Sequence, residues 1–224
     1  SFLSLISHKL KTPLASVTGY SDLLLDEFRQ RPPESPLLPK AAKAISAQGR
    51  KLTELVDKLL RYVTLENPES KVELKPVPLH EVVGETVVSM REWLAERGAE
   101  VSQQSAPAIV KGDREQLVEV VKNLVENAVK FDPKPGPKVN IRLENSGGQA
   151  VLRVSDHGPG IPPEDQEKVF SRFHQVENYF TGQVDGWGLG LPYVRKVVQG
   201  HGGSVELDSA LGRGTTVTVR IPVQ

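Results

Sequence analysis

The sequence predicts an α+β fold: an N-terminal hairpin of two long helices, followed by a two-layer α/β domain. Apolar residues recur every three or four positions over residues 1–30 and again over 40–63, which is the spacing of an amphipathic helix. A proline-rich stretch at residues 31–39 separates the two patterns. Beyond residue 72, helix-like and strand-like patterns alternate, and glycine turns separate the last strands. These three observations indicate a helical unit joined to a mixed sheet with helices on one face.

Each helix of the hairpin carries an apolar stripe, which runs from Leu3 to Phe28 in the first helix and from Ala44 to Val63 in the second. A short connector between two such helices favours an antiparallel arrangement. The pair cannot cover both stripes by itself, so residues 1–65 are expected to dimerise into a four-helix bundle. The hairpin therefore predicts a homodimer.

The second part is expected to begin with a hinge and first strand at residues 66–76 and to continue as an α/β domain over residues 77–224. Residues 175–186 are polar and aromatic without periodicity, which is typical of a mobile lid. Helices are expected at residues 79–97, 114–131, 164–170 and 191–200, and strands at 72–75, 139–144, 150–155, 204–208 and 215–221.

Composition excludes several classes of function. The formal net charge is zero, so the chain has no overall attraction to nucleic acid or to an anionic membrane. It contains no cysteine, which excludes disulfides, thiolate catalysis and cysteine metal sites. No apolar stretch approaches the ~20 residues of a membrane helix, and the chain opens at Ser1 inside a helical pattern. We therefore expect a fragment of a longer protein, with no nucleic-acid partner and with membrane attachment only through regions outside this fragment.

Two glycine-rich segments and a pair of asparagines indicate a nucleotide site. Residues 156–161 and 186–191 carry glycines at alternate positions, where backbone N–H groups can approach a phosphate chain without interference from a Cβ. Asn123 and Asn127 are four residues apart on one face of a predicted helix, and amide oxygens can hold a hard cation. Asp156 offers a buried acceptor for an amino group such as that of adenine. The combination predicts a site for a nucleotide with Mg²⁺.

A histidine in the first helix is a candidate phosphate acceptor. His8 lies outside the apolar stripe and should face solvent, and Thr12, four residues on, shares its face. Pro13 removes a backbone hydrogen bond just after the histidine. An exposed helical histidine is usually an ordinary surface residue, but a neutral imidazole is also a competent nucleophile. A nucleotide site in the same chain favours the second interpretation.

Taken together, these segments resemble the motifs of the sensor histidine kinases of two-component signalling, over essentially the whole chain. The resemblance implies an ATP-binding fold of the kind found in DNA gyrase, heat-shock chaperones and histidine kinases. It also implies ATP-dependent autophosphorylation, phosphotransfer to an aspartate of a response-regulator receiver domain, and a cytoplasmic location for this fragment. The matching segments are a phosphoacceptor box at His8 and Thr12-Pro13, an asparagine box at 123–131, glycine boxes at 156–161, 186–191 and 212–215, and a phenylalanine box at 170–173.

The resemblance assigns the chemistry of phosphate transfer to particular residues. His8 would attack the γ-phosphate of ATP, and Thr12 would position water in a phosphatase reaction on the phosphoaspartate of the partner. Asn127, supported by Asn123, would bind Mg²⁺. The implied catalytic set is therefore His8, Thr12 and Asn123. Lys130 would reach the phosphates as a positive charge.

The resemblance also implies how the nucleotide is held. Asp156 would accept from the adenine amino group, and Phe131 would pack against the nucleotide. Arg172 would either assist the phosphates or anchor the lid through a salt bridge. Phe170 and Phe173 are expected to be hydrophobic anchors of the lid. The other implied binding residues are Gly158, Gly160, Ile161 and Thr215 at the adenine end, and Gly186, Gly188, Leu189, Gly190 and Leu191 at the base of the lid.

One position departs from the family. The residue after the acceptor histidine is usually acidic and accepts the imidazole proton, but here it is Lys9, and no acidic residue precedes Asp22. A lysine stays cationic near neutral pH and cannot act as that base. Two alternatives follow: slow or externally assisted autophosphorylation, or a kinase-impaired ATP-binding phosphatase or scaffold. An ATP-gated machine of the gyrase type is disfavoured, because it needs a catalytic glutamate where Asn123 stands.

Overall fold

The computed structural model describes residues 2–30, 37–66, 74–132, 135–176 and 187–224. Within the first two helices, side chains are described for residues 10–26 and 38–65. The chain divides into two compact units, Ser1–Thr64 and Leu65–Gln224.

The first unit contains two long helices, α1 (Phe2–Gln30) and α2 (Leu37–Glu66). Helices of this length can form one compact unit across so short a connection only by lying antiparallel. The first helix continues through Pro13. The second begins inside the stretch that was expected to be a connector, so Pro39 lies in its first turn, where backbone N–H groups lack intrahelical partners in any case. The predicted connector at residues 31–39 was therefore too long at its C-terminal end.

Burial on the two helices is divided between two faces. Ala41, Leu55 and Tyr62 of α2 are at most 5% exposed, so they lie inside the unit. Other large apolar side chains, including several of the predicted stripes, are exposed in the single chain. We call five of them, which share a side of their own helix, the apolar face of the hairpin: Leu14 and Leu25 on α1, and Val56, Leu60 and Val63 on α2, each 42–59% exposed.

The second unit consists of short strands and helices in an alternating order. Its described helices are α3 (Leu79–Ser89), α4 (Arg91–Ala95), α5 (Arg114–Lys130), α6 (Pro163–Gln166) and α7 (Gly190–Gly200), with a 3-10 turn at Lys168–Phe170. Its described strands are β1 (Lys75–Pro78), β2 (Glu100–Ser105), β3 (Ile109–Gly112), β4 (Lys138–Ser146), β5 (Gln149–Ser155), β6 (Ser204–Ala210) and β7 (Gly214–Pro222).

The main sheet of the described residues has five strands in the order β2-β4-β5-β7-β6. Strands β2 and β4 are parallel, and the other neighbours are antiparallel. A small antiparallel pair, β1 with β3, lies beside it, joined through the bridge between Val110 and Val223. Helices α3 and α7 both pack on α5, and apolar side chains of α5 and of strands β4, β5 and β7 are almost fully buried between the layers. The predicted two-layer α/β architecture is confirmed.

Several predicted elements differ in detail. The helix expected at residues 79–97 is interrupted at Met90, which separates α3 from α4. Strands β2 and β3 were not predicted, because β2 is an edge strand with Val101 as its single apolar residue and shows no alternation. Of the strand expected at residues 72–75, residues 72 and 73 lie outside the described residues, and the described strand is Lys75–Pro78. Residues 67–73 of the expected hinge and first strand and 177–186 of the expected lid lie outside the described residues.

Candidate nucleotide site

The helix α5 presents a row of polar side chains at the edge of its buried face. Its first turn is capped by Asp113, whose Oδ1 accepts from the N–H of Gln116 at 3.0 Å. Glu119, Asn123 and Asn127 follow at four-residue spacing and so share one side of the helix. Asn123 is 6% exposed, and Asn127 is half-buried. The predicted pair of asparagines is therefore present on one face.

Glu119 fixes the orientation of the Asn123 amide. The Nδ2 of Asn123 donates to the backbone carbonyl of Glu119 at 2.8 Å and lies 3.4 Å from the Oε1 of the same residue. With its nitrogen bound, the amide directs its oxygen away from Glu119. Sequence reasoning missed Glu119, although its four-residue spacing from Asn123 was a usable signal. The oxygen that remains is a hard ligand of the type that a magnesium ion prefers.

The start of α7 closes against this oxygen. Gly190 is the first residue of α7, and a Cβ built on it would lie 2.9 Å from the Oδ1 of Asn123 and 3.5 Å from the Nδ2 of Asn127. A side chain at position 190 would therefore displace a buried amide. The neighbouring Leu189 is 2% exposed, and Leu191 is half-buried. The second glycine box and the asparagine box thus meet, as predicted, whereas Gly186 lies outside the described residues.

The other end of α5 reaches the first glycine box. Lys130, half-buried, is the last residue of α5, and its Nζ lies 3.7 Å from the Oε2 of Glu126. Phe131 caps the helix, and its backbone carbonyl lies against Gly158. A Cβ at Gly158 would come within 2.8 Å of that carbonyl oxygen. The asparagine box is therefore in contact with both glycine boxes, one at each end.

Asp156 follows strand β5 and uses its two carboxylate oxygens differently. Its Oδ1 accepts from the N–H groups of Gly158 at 2.9 Å and Thr215 at 3.0 Å. Within the described part of the chain, the hydrogen bonds to this carboxylate all go to Oδ1, which leaves Oδ2 as an unused acceptor. Burial raises the pKa of the Asp156 carboxyl, and the negative charge of Asp132 adds to the rise. The two amide hydrogen bonds and nearby His157 lower that pKa, but less than burial and Asp132 together raise it.

The last glycine box closes over the first. The backbone N–H of Asp156 donates to the carbonyl of Thr215 at 2.9 Å, and the N–H of Gly212 donates to that of Pro159 at 2.7 Å. Gly160 has a φ of +76° and lies against the carbonyl of Ala210, so its position leaves no room for a side chain. Strands β5, β6 and β7 thus bring segments more than fifty residues apart into one loop cluster.

Ser209 and Gln166 belong to this cluster, although the sequence did not single them out. Ile161 donates its N–H to the Ser209 hydroxyl at 2.8 Å, and Gln166 donates to the carbonyl of Ile161 at 3.0 Å. Their partners lie up to 48 residues away in the sequence. No local pattern could have revealed such contacts.

The phenylalanine box is attached to the second glycine box. Phe170 and Phe173 are 7% and 8% exposed, which agrees with their expected role as hydrophobic anchors. The N–H of Phe173 donates to the carbonyl of Gly188 at 2.8 Å, and the guanidinium of Arg195 lies 3.9 Å from the centre of the Phe170 ring. Arg172, between them, is half-buried. These contacts join the two described ends of the segment that was expected to form the lid.

The phosphoacceptor box lies on α1, in the other unit. His8 is within the helix, but its side chain lies outside the described residues, as does that of Lys9. Thr12 is exposed, and Pro13 is buried.

His201 is buried. Its Nδ1 lies 2.8 Å from the carbonyl of Val197, and its Nε2 accepts from the N–H of Asp113 at 3.0 Å. His157 is exposed, and His174 lies 3.3 Å from the carboxylate of Asp165. The described residues contain no group of three or more His, Cys, Asp or Glu side chains that could hold a metal ion. These histidines therefore act in packing or at the surface.

Two families match the chain. Residues 1–68 match the His Kinase A (phospho-acceptor) domain, and residues 112–224 match the histidine kinase-, DNA gyrase B-, and HSP90-like ATPases. Both glycine loops, both asparagines and Asp156 fall within the second match. Among the described residues, no helix combines the length and the apolar composition that crossing a bilayer requires.

Individual histidine kinases are similar to nearly the whole length of this chain. The circadian input-output histidine kinase CikA of Synechococcus elongatus is 32% identical over 231 residues, covering 100% of this chain and 30% of CikA. Full-length ShkA, solved in complex with AMPPNP, is 25% identical with a TM-score of 0.70, covering 99% of this chain and 45% of ShkA. Histidine kinase ThkA, solved in complex with response regulator protein TrrA, shares the fold at 24% identity with a TM-score of 0.75, covering 100% of this chain and 61% of ThkA. The chain spans about a third of the length of the curated relatives it matches.

Proposed function

The chain belongs to the sensor histidine kinases of two-component systems, and from this we propose that it is a catalytic core that phosphorylates His8 with ATP. The phosphoryl group would then pass to an aspartate of a response-regulator receiver domain. The observation that carries the proposal is the meeting of Asn123 with Gly190 and of Asp156 with Thr215 in the unit that matches the ATPase family. We propose a helical phosphotransfer domain at residues 1–65, a hinge at 66–76 and a catalytic domain at 77–224.

The adenine end of the site, at Asp156, suits ATP. The unused Oδ2 of Asp156 can accept from the amino group of adenine, and ShkA, a relative with the same fold, was solved with the ATP analogue AMPPNP. At the phosphate end, amide oxygens of Asn127 and Asn123 are the hard donors that suit Mg²⁺. When bound, Mg²⁺ supplies charge neutralisation at the phosphates. Lys130, three residues after Asn127, adds a positive charge in the last turn of α5.

The remaining implied contacts are assigned by their place in the cluster. Phe131 and Gly158 lie where the asparagine and first glycine boxes meet, and Gly160 and Ile161 continue that loop. Gly188, Leu189, Gly190 and Leu191 would line the phosphate side, together with Arg172 of the phenylalanine box. Gly186, which lies outside the described residues, is proposed for the same side from the resemblance alone.

The reaction is a nucleophilic displacement at phosphorus. A ring nitrogen of His8 forms the new N–P bond, the bond from the γ-phosphorus to the bridging oxygen breaks, and ADP leaves with that oxygen. The imidazole proton must leave to a base, and Lys9 cannot take it because it is cationic near neutral pH. Positioning and electrostatic stabilisation would therefore supply most of the catalysis.

The hairpin is the proposed surface for both protein partners. Its exposed apolar face supports a homodimer, since five large side chains on two helices would otherwise face water. Thr12 is exposed on α1, where it could position water for hydrolysis of the partner's phosphoaspartate. ThkA, which shares the fold, was solved with a response regulator. We expect this fragment to act in the cytoplasm, where ATP is available.

A second function is favoured by one observation, the lysine at position 9. Without an acidic neighbour for His8, the chain would bind ATP and act as a phosphatase or a scaffold rather than as an efficient kinase. ATP binding without any phosphorylation of the histidine would support this second function over the first.

Labelled ATP tests the proposal. We expect the wild-type chain with Mg²⁺ to acquire acid-labile phosphate, and His8→Ala to lose it completely while it still binds ATP by calorimetry. The matched control is Asp156→Asn, which should lose both phosphate and affinity because the adenine acceptor is changed. Phosphate that persists in His8→Ala, or a wild type that ignores adenine nucleotides, would contradict the proposed function.

A further inference from the structure

Ser209, on strand β6, is the centre of a hydrogen-bond cluster at the adenine end of the site. Its hydroxyl accepts from the N–H of Ile161 at 2.8 Å and donates to the carbonyl of Gly214 at 2.9 Å. The same oxygen is 3.0 Å from the hydroxyl oxygen of Thr215. Gln166 holds the backbone beside it, because its amide donates to the carbonyls of Ser209 and Ile161 at 2.8 and 3.0 Å. One hydroxyl thus joins the first glycine box to the last.

The number of protons in this cluster determines the polarity of the Thr215 hydroxyl, that is, whether it donates or accepts a hydrogen bond. A serine hydroxyl has one proton and two lone pairs. The Gly214 carbonyl can only accept, so the Ser209 proton goes to it, and the Ile161 N–H occupies one lone pair. When all three contacts form as hydrogen bonds, the other lone pair remains for Thr215, whose hydroxyl is then the donor between the two side chains. The Thr215 oxygen therefore has lone pairs for a ligand and no proton to give.

Asp156, beside Thr215, likewise offers lone pairs and no proton to a ligand. Its Oδ1 accepts from the backbone N–H groups of Gly158 and Thr215, and its Oδ2 accepts from no described residue. The side chains of Asp156 and Thr215, on residues joined by a backbone hydrogen bond, thus each offer acceptors. Such a pair suits an amino group, which can donate two hydrogen bonds, and opposes an oxo group, which can only accept.

We propose that Ser209 is a positioning residue that sets the preference of the site for a 6-aminopurine over a 6-oxopurine. Because the Ser209 oxygen accepts a hydrogen bond from the Thr215 hydroxyl, that hydroxyl does not turn to donate to a 6-oxo substituent. The 6-oxo oxygen then faces acceptors at the place where the adenine amino group would donate, and polar groups left unpaired in this way reduce affinity. The inference rests on the proposed ATP function and adds a determinant of its specificity.

Calorimetry with two nucleotides tests this role. Inosine triphosphate differs from ATP in carrying a 6-oxo group and a proton on N1, so the ratio of the two Kd values reports the polarity of the adenine end. We expect Ser209→Ala, measured in the full chain with Mg²⁺, to weaken ATP binding about three- to tenfold. Binding of inosine triphosphate should stay within about twofold or tighten, because Thr215 becomes free to donate.

Two further variants isolate the hydroxyl. Ser209→Thr retains it and should keep the wild-type ratio. Ser204→Ala removes a hydroxyl from an exposed serine on the same strand and should change neither affinity.

An unchanged ratio in Ser209→Ala, with both affinities intact or both reduced equally, would overturn the inference and leave Ser209 a structural residue. Should Ser209→Ala fail to fold by circular dichroism, Thr215→Val tests the same idea, since it removes the acceptor hydroxyl with little change in shape. Thr215→Val should weaken the binding of ATP more than that of inosine triphosphate. An equal loss of affinity for both nucleotides would overturn the inference. A wild type that does not bind ATP would contradict the proposed function itself, whereas ATP binding with a ratio insensitive to Ser209 would contradict only its selectivity role.

Discussion

Among single residues, Asp156 shows how burial and hydrogen bonding act on the same carboxylate. The amides of Gly158 and Thr215 hold its Oδ1 and fix the plane of the group, so that Oδ2 has a defined direction. Burial and the charge of Asp132 raise the pKa of the carboxyl above that of an ordinary aspartate. The group is therefore well oriented, but it takes up a proton at a higher pH than an exposed aspartate does. Protonation converts Oδ2 from an acceptor into a donor.

This chemistry predicts a pH dependence of nucleotide binding. In the proposed ATP complex the ionised carboxylate of Asp156 is the form that accepts from adenine, so ATP affinity should fall as the pH drops through the raised pKa, beginning above the range of an ordinary aspartate. Asp156→Asn keeps an oxygen for the two amides but places an NH₂ group where Oδ2 was. We expect it to bind ATP about ten- to a hundredfold more weakly at neutral pH. Calorimetry at a series of pH values measures both effects.

The same variant supplies the control for this titration, because ATP phosphates also take up protons in the acidic range. Asp156→Asn should show only that background slope, and the wild type should be steeper. Identical slopes in the two proteins would contradict the assignment of the pH dependence to Asp156.

At the scale of elements, the contact between α5 and α7 determines the shape of the phosphate end. Glu119 binds the nitrogen of the Asn123 amide, and the oxygen of that amide lies against Gly190 at the start of α7. The two helices pack along the same contact, so the amide cannot move without shifting one of them. A glycine is needed here because of the close approach of Asn123, not because of its backbone conformation.

Gly190→Ala should therefore weaken binding of ATP with Mg²⁺. The new methyl group would lie 2.9 Å from the Asn123 oxygen, and overpacking of this kind reduces stability or affinity by about 1–3 kcal/mol. We expect a loss of ATP affinity of about tenfold, measured by calorimetry. Gly200→Ala is the matched control, since it lies at the other end of α7 with nothing within 4 Å of the added methyl. Equal affinities in the two variants would show that the contact does not matter for the nucleotide.

At the scale of the whole molecule, the two compact units differ in the apolar surface that they leave exposed. The nucleotide unit buries most of its apolar residues between a sheet and a layer of helices. The helical unit retains an apolar face on both helices, with Leu60 59% exposed. A second copy of the chain is the proposed cover for that face, because a four-helix bundle would bury the face of each hairpin.

Leu60→Asp should convert a dimer into a monomer. Each dimer buries this residue twice, and loss of about 1.5–3 kcal/mol per leucine corresponds to a fall in dimer affinity of at least a hundredfold. Sedimentation equilibrium measures the change. Leu211→Asp makes the same replacement at a leucine that is 50% exposed in the nucleotide unit, and it should leave the association unchanged. A Leu60→Asp protein that remains dimeric would exclude this face as the interface.

Much of this arrangement could be predicted from short-range patterns. The spacing of apolar residues located both long helices, and the four-residue separation of Asn123 and Asn127 was enough to place them on one helix face. Alternation located β4 to β7 within a few residues, because a strand with one buried face repeats every second residue. The family of the chain followed from the order of its motifs and is confirmed.

Other features depended on contacts between distant residues. Strand β2 has a polar sequence and forms only because β4 offers it a parallel edge. The space beside the Asn123 oxygen depends on Gly190, 67 residues later in the numbering, and the polarity of Thr215 depends on the register that sets it opposite Ser209. By itself, then, the sequence determined which helices form, which face they bury and which chemical groups are present. The tertiary structure alone decided which lone pairs and protons those groups have left for a ligand, because hydrogen bonds between remote segments depend on how the sheet aligns them.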